Sequence, residues 1–291
     1  MNRMWFGIPG TQMQWVPCPL IDSTIQRRRY VEQIRFENGG GDARRSAAYQ
    51  MQYDFTFSGL AHEVEGIDAF NRFASGFYGH GLIHLAHPAN FETNLFPAHW
   101  ASPGIIEQGW PNIATSSASF ADTNVSSYGQ PPRTATWNIV EQAGTYTKST
   151  KIVIPPTHTL HLGVSGIATG SGVVRVRPIN VDGSYAAAQN LVLLSKSGAT
   201  RMNTTFSGGT YQAVEVYITR SSDVASTVSV TSMMAQLYKT GVSPTLPSNH
   251  YTGEGSTGLM FVDDAVVENY LYLHPPRKGI STSLVEVEAW R

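Results

Sequence analysis

The chain has 291 residues, of which 41% are hydrophobic and only 14% are charged, and its formal net charge is -1. This composition supplies enough apolar side chains for packed cores and excludes a disordered chain, and it lacks the strong positive charge expected of a general nucleic-acid binder. The length favours two domains, and a single cysteine, Cys18, excludes an internal disulfide.

The N-terminal segment predicts β-strands. Short apolar runs at 3–8 and 11–16 flank a Pro-Gly pair, which predicts a hairpin. Further strands are expected at 29–37 and 49–58, and in the second of these aromatic and aliphatic residues alternate with polar ones. Such alternation indicates a strand with one buried and one polar face.

A run of glycines at 39–41 predicts a flexible hairpin tip between those strands. It lacks the Gly-Lys-Ser/Thr ending and the following helix of a phosphate-binding loop, which argues against nucleotide binding. Arginines at 27–29 and at 44–45 flank the same hairpin. This basic cluster fits a solvated face, an interface with acidic patches of a neighbouring subunit, or contact with DNA.

A short amphipathic helix is expected near residues 66–77. Its apolar stripe recurs at three- and four-residue steps and consists of Ile67, Phe70, Phe73, Ala74 and Phe77. Glycines in the following GFYGHG tract tolerate the positive φ of a sharp reversal, so they end the helix. A strand at 82–85 and an aromatic, proline-containing segment at 94–103 follow.

These parts resemble the minor tail proteins of long-tailed actinobacteriophages, specifically those of the distal tail protein type. The resemblance lies in YDFTFSGL at 53–60, GFYGHGLIHLAHP at 76–88 and NLFPAHWASP at 94–103, and more loosely in the last forty or so residues. Proteins of this type form homohexameric rings that join the tail tube to the baseplate hub. The resemblance therefore implies a structural virion protein of the tail tip, made in the host cytoplasm, with no cofactor and no turnover.

From residue 105 the helix signals disappear and short β runs follow one another, which is typical of a sandwich or jelly roll. Strands are expected at 134–139, 150–154, 158–165, 173–180, 189–194, 212–219 and 226–238. The pattern resembles the β-sandwiches of carbohydrate-binding modules and galectins.

Residues 240–258 have the composition of a linker, and strands are expected at 259–263, 265–273 and 283–290. Three strands are too few to bury a core alone, so they either complete the N-terminal sheet, as the resemblance implies, or extend the sandwich. The predicted fold class is therefore mainly β. It has a ring-forming domain at 1–104, an inserted sandwich at 105–246, and a linker with returning strands at 247–291.

The sequence offers no catalytic signature. His80, His84, His87 and His99 cluster in the chain, but they lack an H-E-x-x-H helix and a cysteine partner, and strand geometry separates their side chains, so no metal site is predicted. The carboxylates of the sandwich are scattered, without the paired arrangement of glycoside hydrolases, and are Asp122, Glu141, Asp182, Glu215 and Asp223. No G-x-S-x-G turn marks a nucleophile. We therefore expect the protein not to be an enzyme. The alternative is a wall-degrading enzyme, which would release sugar or peptide from purified envelopes.

Sugar binding is the serious alternative to a purely structural role. The aromatic residues of the sandwich that could stack on sugars are Trp110, Trp137, Tyr128, Tyr146, Tyr185 and Tyr211. Tyr128 and Tyr185 lie in Ser/Gly-rich loops and are the predicted glycan contacts, whereas Trp137 is expected to be buried. The alternative function is thus a host-wall adhesin acting through the sandwich.

Assembly is the predicted mechanism, because sheet edges and aromatic patches can be covered by neighbouring copies in a closed ring. The residues predicted to build the ring are Gly39, Gly40, Gly41, Arg44, Arg45, Phe70, Phe73, Phe77, Phe96 and Trp100. The expected partners are further copies of the chain, the tail tube protein, the baseplate hub and host-wall glycan. No specific nucleic acid is expected. Neither a signal peptide nor a membrane span is predicted from the sequence.

Overall fold

The computed structural model describes sixteen stretches of the chain, at 3–18, 24–28, 31–35, 41–45, 50–60, 64–103, 118–122, 133–139, 142–144, 149–191, 194–195, 202–242, 253–255, 258–262, 267–271 and 277–287. The strands are, in chain order, β1 (Arg3–Ile8), β2 (Gln12–Pro17), β3 (Thr24–Arg28), β4 (Val31–Arg35), β5 (Gly41–Arg45), β6 (Gln50–Leu60), β7 (His84–Ala86), β8 (Ala118–Asp122), β9 (Arg133–Ile139), β10 (Ser149–Val153), β11 (His158–Thr169), β12 (Gly172–Asn180), β13 (Gln189–Leu191), β14 (Leu194–Ser195), β15 (Met202–Ser207), β16 (Tyr211–Arg220), β17 (Ser226–Lys239), β18 (Leu259–Phe261), β19 (Val267–Leu271) and β20 (Arg277–Glu286). The α-helices are α1 (Val64–Ala74) and α2 (Ala98–Ala101), and a 3-10 turn covers Pro88–Asn90. The chain is mainly β, as the sequence predicts.

Contacts divide the chain into two compact units. The first unit contains residues 16–82 and 257–291, and the second contains 2–15 and 83–256. The division differs from the predicted one, because the N-terminal hairpin and residues 83–103 belong to the unit of the sandwich. The reason is packing: Trp5, Ala86, Phe91 and Trp100 lie in the same buried apolar cluster as the sandwich strands.

The first unit is built around a sheet in the order β18-β20-β6-β3, with β19 also paired to β20. The C-terminal strand β20 runs antiparallel to β6 over nine residue pairs, from Arg277 opposite Leu60 to Val285 opposite Gln52. The predicted alternation of β6 holds in its described part, since Tyr53 and Phe55 are buried while Thr56 is partly exposed. The C-terminal strands therefore complete a sheet whose other strands lie within residues 24–60.

A two-stranded sheet, β4 paired with β5, also belongs to the first unit. Thr24 to Arg28 of β3 pair with Asp54 to Gln50 of β6, and Val31 to Arg35 of β4 pair with Arg45 to Gly41 of β5. The predicted single strand at 29–37 is thus wrong at its start, because β3 ends at Arg28 and β4 begins at Val31. In the described part of the chain, β4 and β5 pair with no further strand.

Helix α1 ends at Ala74 because a glycine cap stops it. Phe77 N–H donates to Arg72 O at 2.9 Å and Gly76 N–H donates to Phe73 O at 3.1 Å, and Gly76 has φ +70°. This pair of bonds around a left-handed glycine is the Schellman motif. The predicted helix at 66–77 is therefore too long at its C-terminal end, and Phe77 leaves the apolar stripe.

The second unit contains a β-sandwich of two antiparallel sheets. One sheet has the order β10-β16-β12-β13, and the other has the order β14-β11-β17-β9-β8, with β15 also paired to β11. Alternate residues of the first sheet, such as Val174 and Val216, share a buried cluster with Leu162 and Val230 of the second sheet. The sandwich is thus closed by side chains that point inward from every second position.

A third, three-stranded sheet in the order β2-β1-β7 accompanies the sandwich. Strand β7 packs against β10, at the edge of the four-stranded sheet. The outer face of that sheet carries one apolar row, formed by Val153, Ala213 and Ile179, which is buried in the same cluster as Trp5. The N-terminal hairpin therefore contributes to the core of the sandwich unit.

Candidate functional site

Beyond the apolar row, the outer face of the four-stranded sheet becomes polar. One cross-strand row contains Lys151, Glu215 and Arg177, and the next contains Ser149, Tyr217, Arg175 and Asn190. These seven residues, with Tyr185 from the turn after β12, are called the polar face below. Their alternation along each strand puts them on the side opposite the sandwich core. Glu215 and Tyr217 are buried there, whereas the other five strand residues are partly or fully exposed.

Glu215 is the carboxylate at the centre of the polar face. Arg177 Nη2 donates to its Oε2 at 2.6 Å, and Ser149 Oγ donates to its Oε1 at 2.8 Å. The Glu215 side chain is 5% exposed and that of Arg177 is 29% exposed. The ion pair thus fixes the guanidinium with one flank toward solvent.

Tyr185 provides the aromatic surface of the polar face. Its side chain is 49% exposed, and Arg177 Cζ lies 3.9 Å from its ring centroid, a cation–π distance. The second ring near this guanidinium is that of Tyr217, at 5.9 Å, and Tyr217 is buried. Two aromatic rings and a planar cation therefore lie at one place on the sheet.

The turn that carries Tyr185 is held by local hydrogen bonds. Asp182 Oδ1 accepts from the backbone N–H of Ser184 at 2.9 Å and from its hydroxyl at 2.6 Å, which lowers the pKa of Asp182. Gly183 has φ +86°, and a Cβ there would collide with Gly10 O in the N-terminal hairpin. The hairpin tip therefore buttresses the turn, and a side chain at Gly183 would push the two apart.

Four of the predicted ring-building residues are core residues instead. Phe70, Phe73, Phe96 and Trp100 are at most 4% exposed within the single chain, so they cannot offer their side chains to a neighbouring copy. Phe77 differs, because the glycine cap turns it outward and leaves it 73% exposed.

The structure describes only some of the other residues that were predicted to build the ring or to contact sugars. Gly41, Arg44 and Arg45 lie in β5, opposite Arg35, Glu32 and Val31 of β4. Gly39, Gly40 and Tyr128 lie outside the described residues, as do Trp110 and Tyr146. Trp137 is fully buried, as predicted, and Tyr211 packs against the core.

The aromatic segment at 94–103 joins two distant parts of the second unit. Glu254 N–H donates to Asn94 O at 3.0 Å, Gly255 N–H donates to Phe96 O at 3.1 Å, and Pro97 forms a parallel bridge with Gly255. The Phe96 and Trp100 rings are nearly parallel, with centroids 6.5 Å apart. The segment that leads into the sandwich and the segment that returns from it are therefore bonded side by side.

The clustered histidines do not converge on a metal. His80 is exposed, whereas His84 is buried, and burial with a Coulombic contribution from Lys151 lowers the pKa of His84 to about 3. His87 Nδ1 accepts from the backbone N–H of Ala89 at 3.2 Å. Among the described residues, no group of histidine, cysteine and acidic side chains could hold a metal ion. In the same part of the chain, no helix is long and apolar enough to span a membrane.

Sequence reasoning identified Tyr185 and considered Glu215 as a carboxylate, but it missed the other six residues of the polar face, which are Ser149, Lys151, Arg175, Arg177, Asn190 and Tyr217. The available signal was the Arg-Val-Arg alternation of β12, which puts two guanidinium groups on one face of a strand. The partner of Arg177 could not be read from the sequence, because Glu215 is 38 residues away and is brought opposite by strand pairing.

No protein-family model and no curated protein match this chain. Among solved structures, it is similar to the CBM22-1 xylan-binding domain of Paenibacillus barcinonensis Xyn10C, at 13% identity and a TM-score of 0.32, over 52% of this chain and 99% of that one. It is also similar to the enzymatically active domain of bacteriophage CBA120 tailspike protein 4, at 14% identity and a TM-score of 0.29, over 50% of this chain and 21% of that one. A third similarity is to the VP2 subviral particle of infectious bursal disease virus, at 12% identity and a TM-score of 0.26, over 98% and 76% of the chains. At these values none of them assigns a family or a ligand to this chain.

Proposed function

We propose that this chain is a structural protein of a phage tail tip, in which copies assemble through the first unit and each copy carries an inserted β-sandwich. The assembly is a homohexameric ring between the tail tube and the baseplate hub, as in the distal tail proteins that the sequence resembles. It requires neither a cofactor nor turnover.

The observation that carries the proposal is the two-stranded sheet of β4 and β5, to which no third strand pairs in the described part of the chain. An isolated two-stranded hairpin is marginally stable in water, since it lacks a third strand or a helix to cover it. Open strand edges are also sites where another chain can pair. A neighbouring copy of the same chain supplies such a cover in a ring.

Exposed apolar side chains on the first unit support the same proposal. Phe77 is 73% exposed, and Met260 and Val262, two residues apart at the end of β18, are 49% and 51% exposed. Large apolar groups held at the surface by well-defined backbone are typical of interface contacts.

The test is the mass and location of the full chain. We expect mass photometry of the purified protein to give a species of six copies, and electron microscopy to show a ring with a central hole. We expect antibodies against the chain to label the tail tip of the phage that encodes it. A chain that is absent from the virion, or located elsewhere on it, contradicts the proposal.

The polar face favours a second candidate function, which is glycan binding by the sandwich. Tyr185 offers a half-exposed ring for stacking on a sugar, and Arg177, Arg175 and Asn190 offer hydrogen-bonding groups beside it. We expect the full chain to bind wall polysaccharide saturably and Tyr185→Ala to lose that binding. Val224→Ala, which changes an exposed apolar residue elsewhere on the second unit, is the matched control. Unchanged binding by Tyr185→Ala rules out this site.

A further inference from the structure

The charges on the polar face do not balance. Lys151, Arg175 and Arg177 supply three positive charges, and Glu215 supplies the one carboxylate of the two cross-strand rows. The chain as a whole is slightly negative, with a formal net charge of -1. A local excess of positive charge on such a chain attracts an anionic ligand to this face.

Glu215 is committed to Arg177 and Ser149, so it neutralises one of the three cations. Both Arg177 Nε and Nη2 donate to the same carboxylate oxygen, at 3.2 and 2.6 Å, and the Ser149 hydroxyl occupies the other oxygen. The remaining cations, Lys151 and Arg175, pair with no carboxylate in the part of the chain whose side chains the structure describes.

The neighbours of Arg175 fix its guanidinium group in a position where a ligand could bind to it. Its Nε donates to Asn190 Oδ1 at 2.6 Å, and its Nη1 lies 3.4 Å from where a Cβ of Gly144 would be. An arginine anchored through Nε presents its terminal nitrogens as a planar fork, which suits the two oxygens of a carboxylate or phosphate. The absence of a side chain at Gly144 leaves this end of the guanidinium uncrowded.

The acidic groups that the structure describes near the polar face do not cancel the excess. Asp182, in the turn before Tyr185, is engaged by both the backbone N–H and the hydroxyl of Ser184. Asp223 accepts from Arg220 Nη2 at 3.3 Å and from the backbone N–H of Ala143 at 2.8 Å. His84, which lies close to Lys151, is uncharged at neutral pH. Among the acids whose side chains the structure describes, none compensates Lys151 or Arg175.

We propose that the polar face is a binding site for an acidic glycan, in which Arg175 and Lys151 bind a carboxylate or phosphate group and Tyr185 stacks on the adjoining sugar ring. This inference rests on the glycan-binding candidate function and names its ligand class. A single-stranded nucleic acid has the same combination of anion and planar group, but a face with an excess of two charges fits a short acidic saccharide better than a continuous phosphate backbone.

The experiment uses calorimetry to measure binding of the full chain to probes that differ in charge. Polygalacturonate oligomers supply carboxylates, and their methyl esters are the neutral counterpart with the same sugar ring. A polymer of sugar rings joined through phosphates supplies phosphate groups, so the two acidic probes distinguish the two sources of negative charge. A DNA oligomer of equal charge is the fourth probe.

We expect at least one acidic probe to bind about tenfold or more tightly than the methyl ester at low salt, and this preference to shrink as salt rises. Arg175→Gln and Lys151→Gln should each remove most of the preference, and circular dichroism checks that both fold. Lys239→Gln, which removes an exposed cation elsewhere on the second unit, should leave it unchanged.

The outcomes separate the two proposals. Equal affinity for acid and ester, with both lost in Tyr185→Ala, keeps glycan binding and overturns the acidic subsite. Binding of no saccharide overturns both. Tighter binding of the DNA oligomer than of either acidic glycan also overturns the inference and makes this face a nucleic-acid site.

Discussion

Asn94 joins its own segment to β17 through one buried side-chain amide. Its Nδ2 donates to Met233 O at 2.9 Å, and its Oδ1 accepts from the N–H groups of Ala235 at 3.0 Å and Phe96 at 3.2 Å. The side chain is fully buried. We expect Asn94→Ala to lower the free energy of unfolding by about 3–5 kcal/mol, because each buried backbone group left without a partner costs about 1–3 kcal/mol. Urea denaturation followed by tryptophan fluorescence measures the change.

The matched control for Asn94 is an asparagine without burial. Asn138 lies on β9 and is exposed, so Asn138→Ala should change the free energy of unfolding by no more than about 0.5 kcal/mol. Equal effects of the two substitutions on the free energy of unfolding would mean that the Asn94 side chain does not stabilise the contact between its segment and β17.

His84 predicts an acid-sensitive stability. Burial, then the charge of Lys151, lowers its pKa to about 3 from 6.5, while a hydrogen bond with the Lys151 backbone acts in the opposite direction. The unfolded chain therefore takes up a proton below pH 6.5 that the folded chain refuses until about pH 3. The stabilising difference is fully present above pH 6.5 and is lost as the pH falls through this window, by about 1.4 kcal/mol per pH unit.

The measurement for His84 is the slope of unfolding free energy against pH between 4 and 6. We expect His84→Gln to reduce that slope by one proton relative to the unsubstituted chain, whatever its effect on stability at pH 7. His161→Gln is the control, because His161 is less deeply buried and its pKa is lowered by burial alone. A slope that is unchanged in His84→Gln contradicts the assignment.

The two phenylalanines at the end of α1 have opposite roles because of one capping motif. Phe73 is 4% exposed and Phe77 is 73% exposed, although both belong to the apolar periodicity of the sequence. The Gly76 cap ends the helix between them. We expect Phe77→Ser to leave the free energy of unfolding within about 0.5 kcal/mol of the original and to weaken self-association, whereas Phe73→Ser should lose about 3 kcal/mol or more through the empty core site.

Mass photometry over a concentration series, with chemical denaturation of each variant, checks the Phe77 prediction. Phe73→Ser serves as the internal control for a change of the same chemistry at a buried position. If Phe77→Ser assembles as well as the original chain, Phe77 is not part of the interface, and other elements of the first unit must form it.

Strands were predictable where polar and apolar residues alternate in the sequence, as they do closely in β6 and β9. The end of α1 was missed because periodicity continues through Phe77, whereas the helix obeys the conformation of Gly76. The role of the segment at 94–103 was missed for a different reason. Aromatic residues mark contact but not the partner, and here the partner is the same chain.

The polar face was predictable only in part. Tyr185 could be recognised from its loop composition, but its neighbours come from β10, β12, β13 and β16, and their register decides which side chains meet. A shift of one residue in any of these strands would move the charged side chains to the core side. A single sequence carries no direct information on that register.

At the level of the whole molecule, both units are assembled from distant parts of the chain. The first unit pairs β6 with β20, and the second adds the N-terminal hairpin to strands that begin at residue 83. Because each unit combines segments that are far apart in the sequence, neither unit corresponds to one continuous stretch of the chain. This arrangement also explains why boundaries drawn from composition alone at 105 and 246 were displaced.

The N-terminal hairpin of β1 and β2 gives a direct test of whether these distant segments form one unit. A fragment of residues 83–256 lacks Trp5, which is buried in the sandwich cluster, and should therefore be less stable than the same unit in the full chain. We expect a peptide of residues 2–17 to restore it, with about 2.7 kcal/mol of stabilisation at a hundredfold excess over its Kd, or roughly 5–10 °C in Tm. The same peptide with Trp5→Ser should have little effect, because it lacks the side chain that enters the core. A fragment whose Tm already equals that of the full chain, or does not respond to the peptide, would show that the N-terminal hairpin does not stabilise the core of the sandwich.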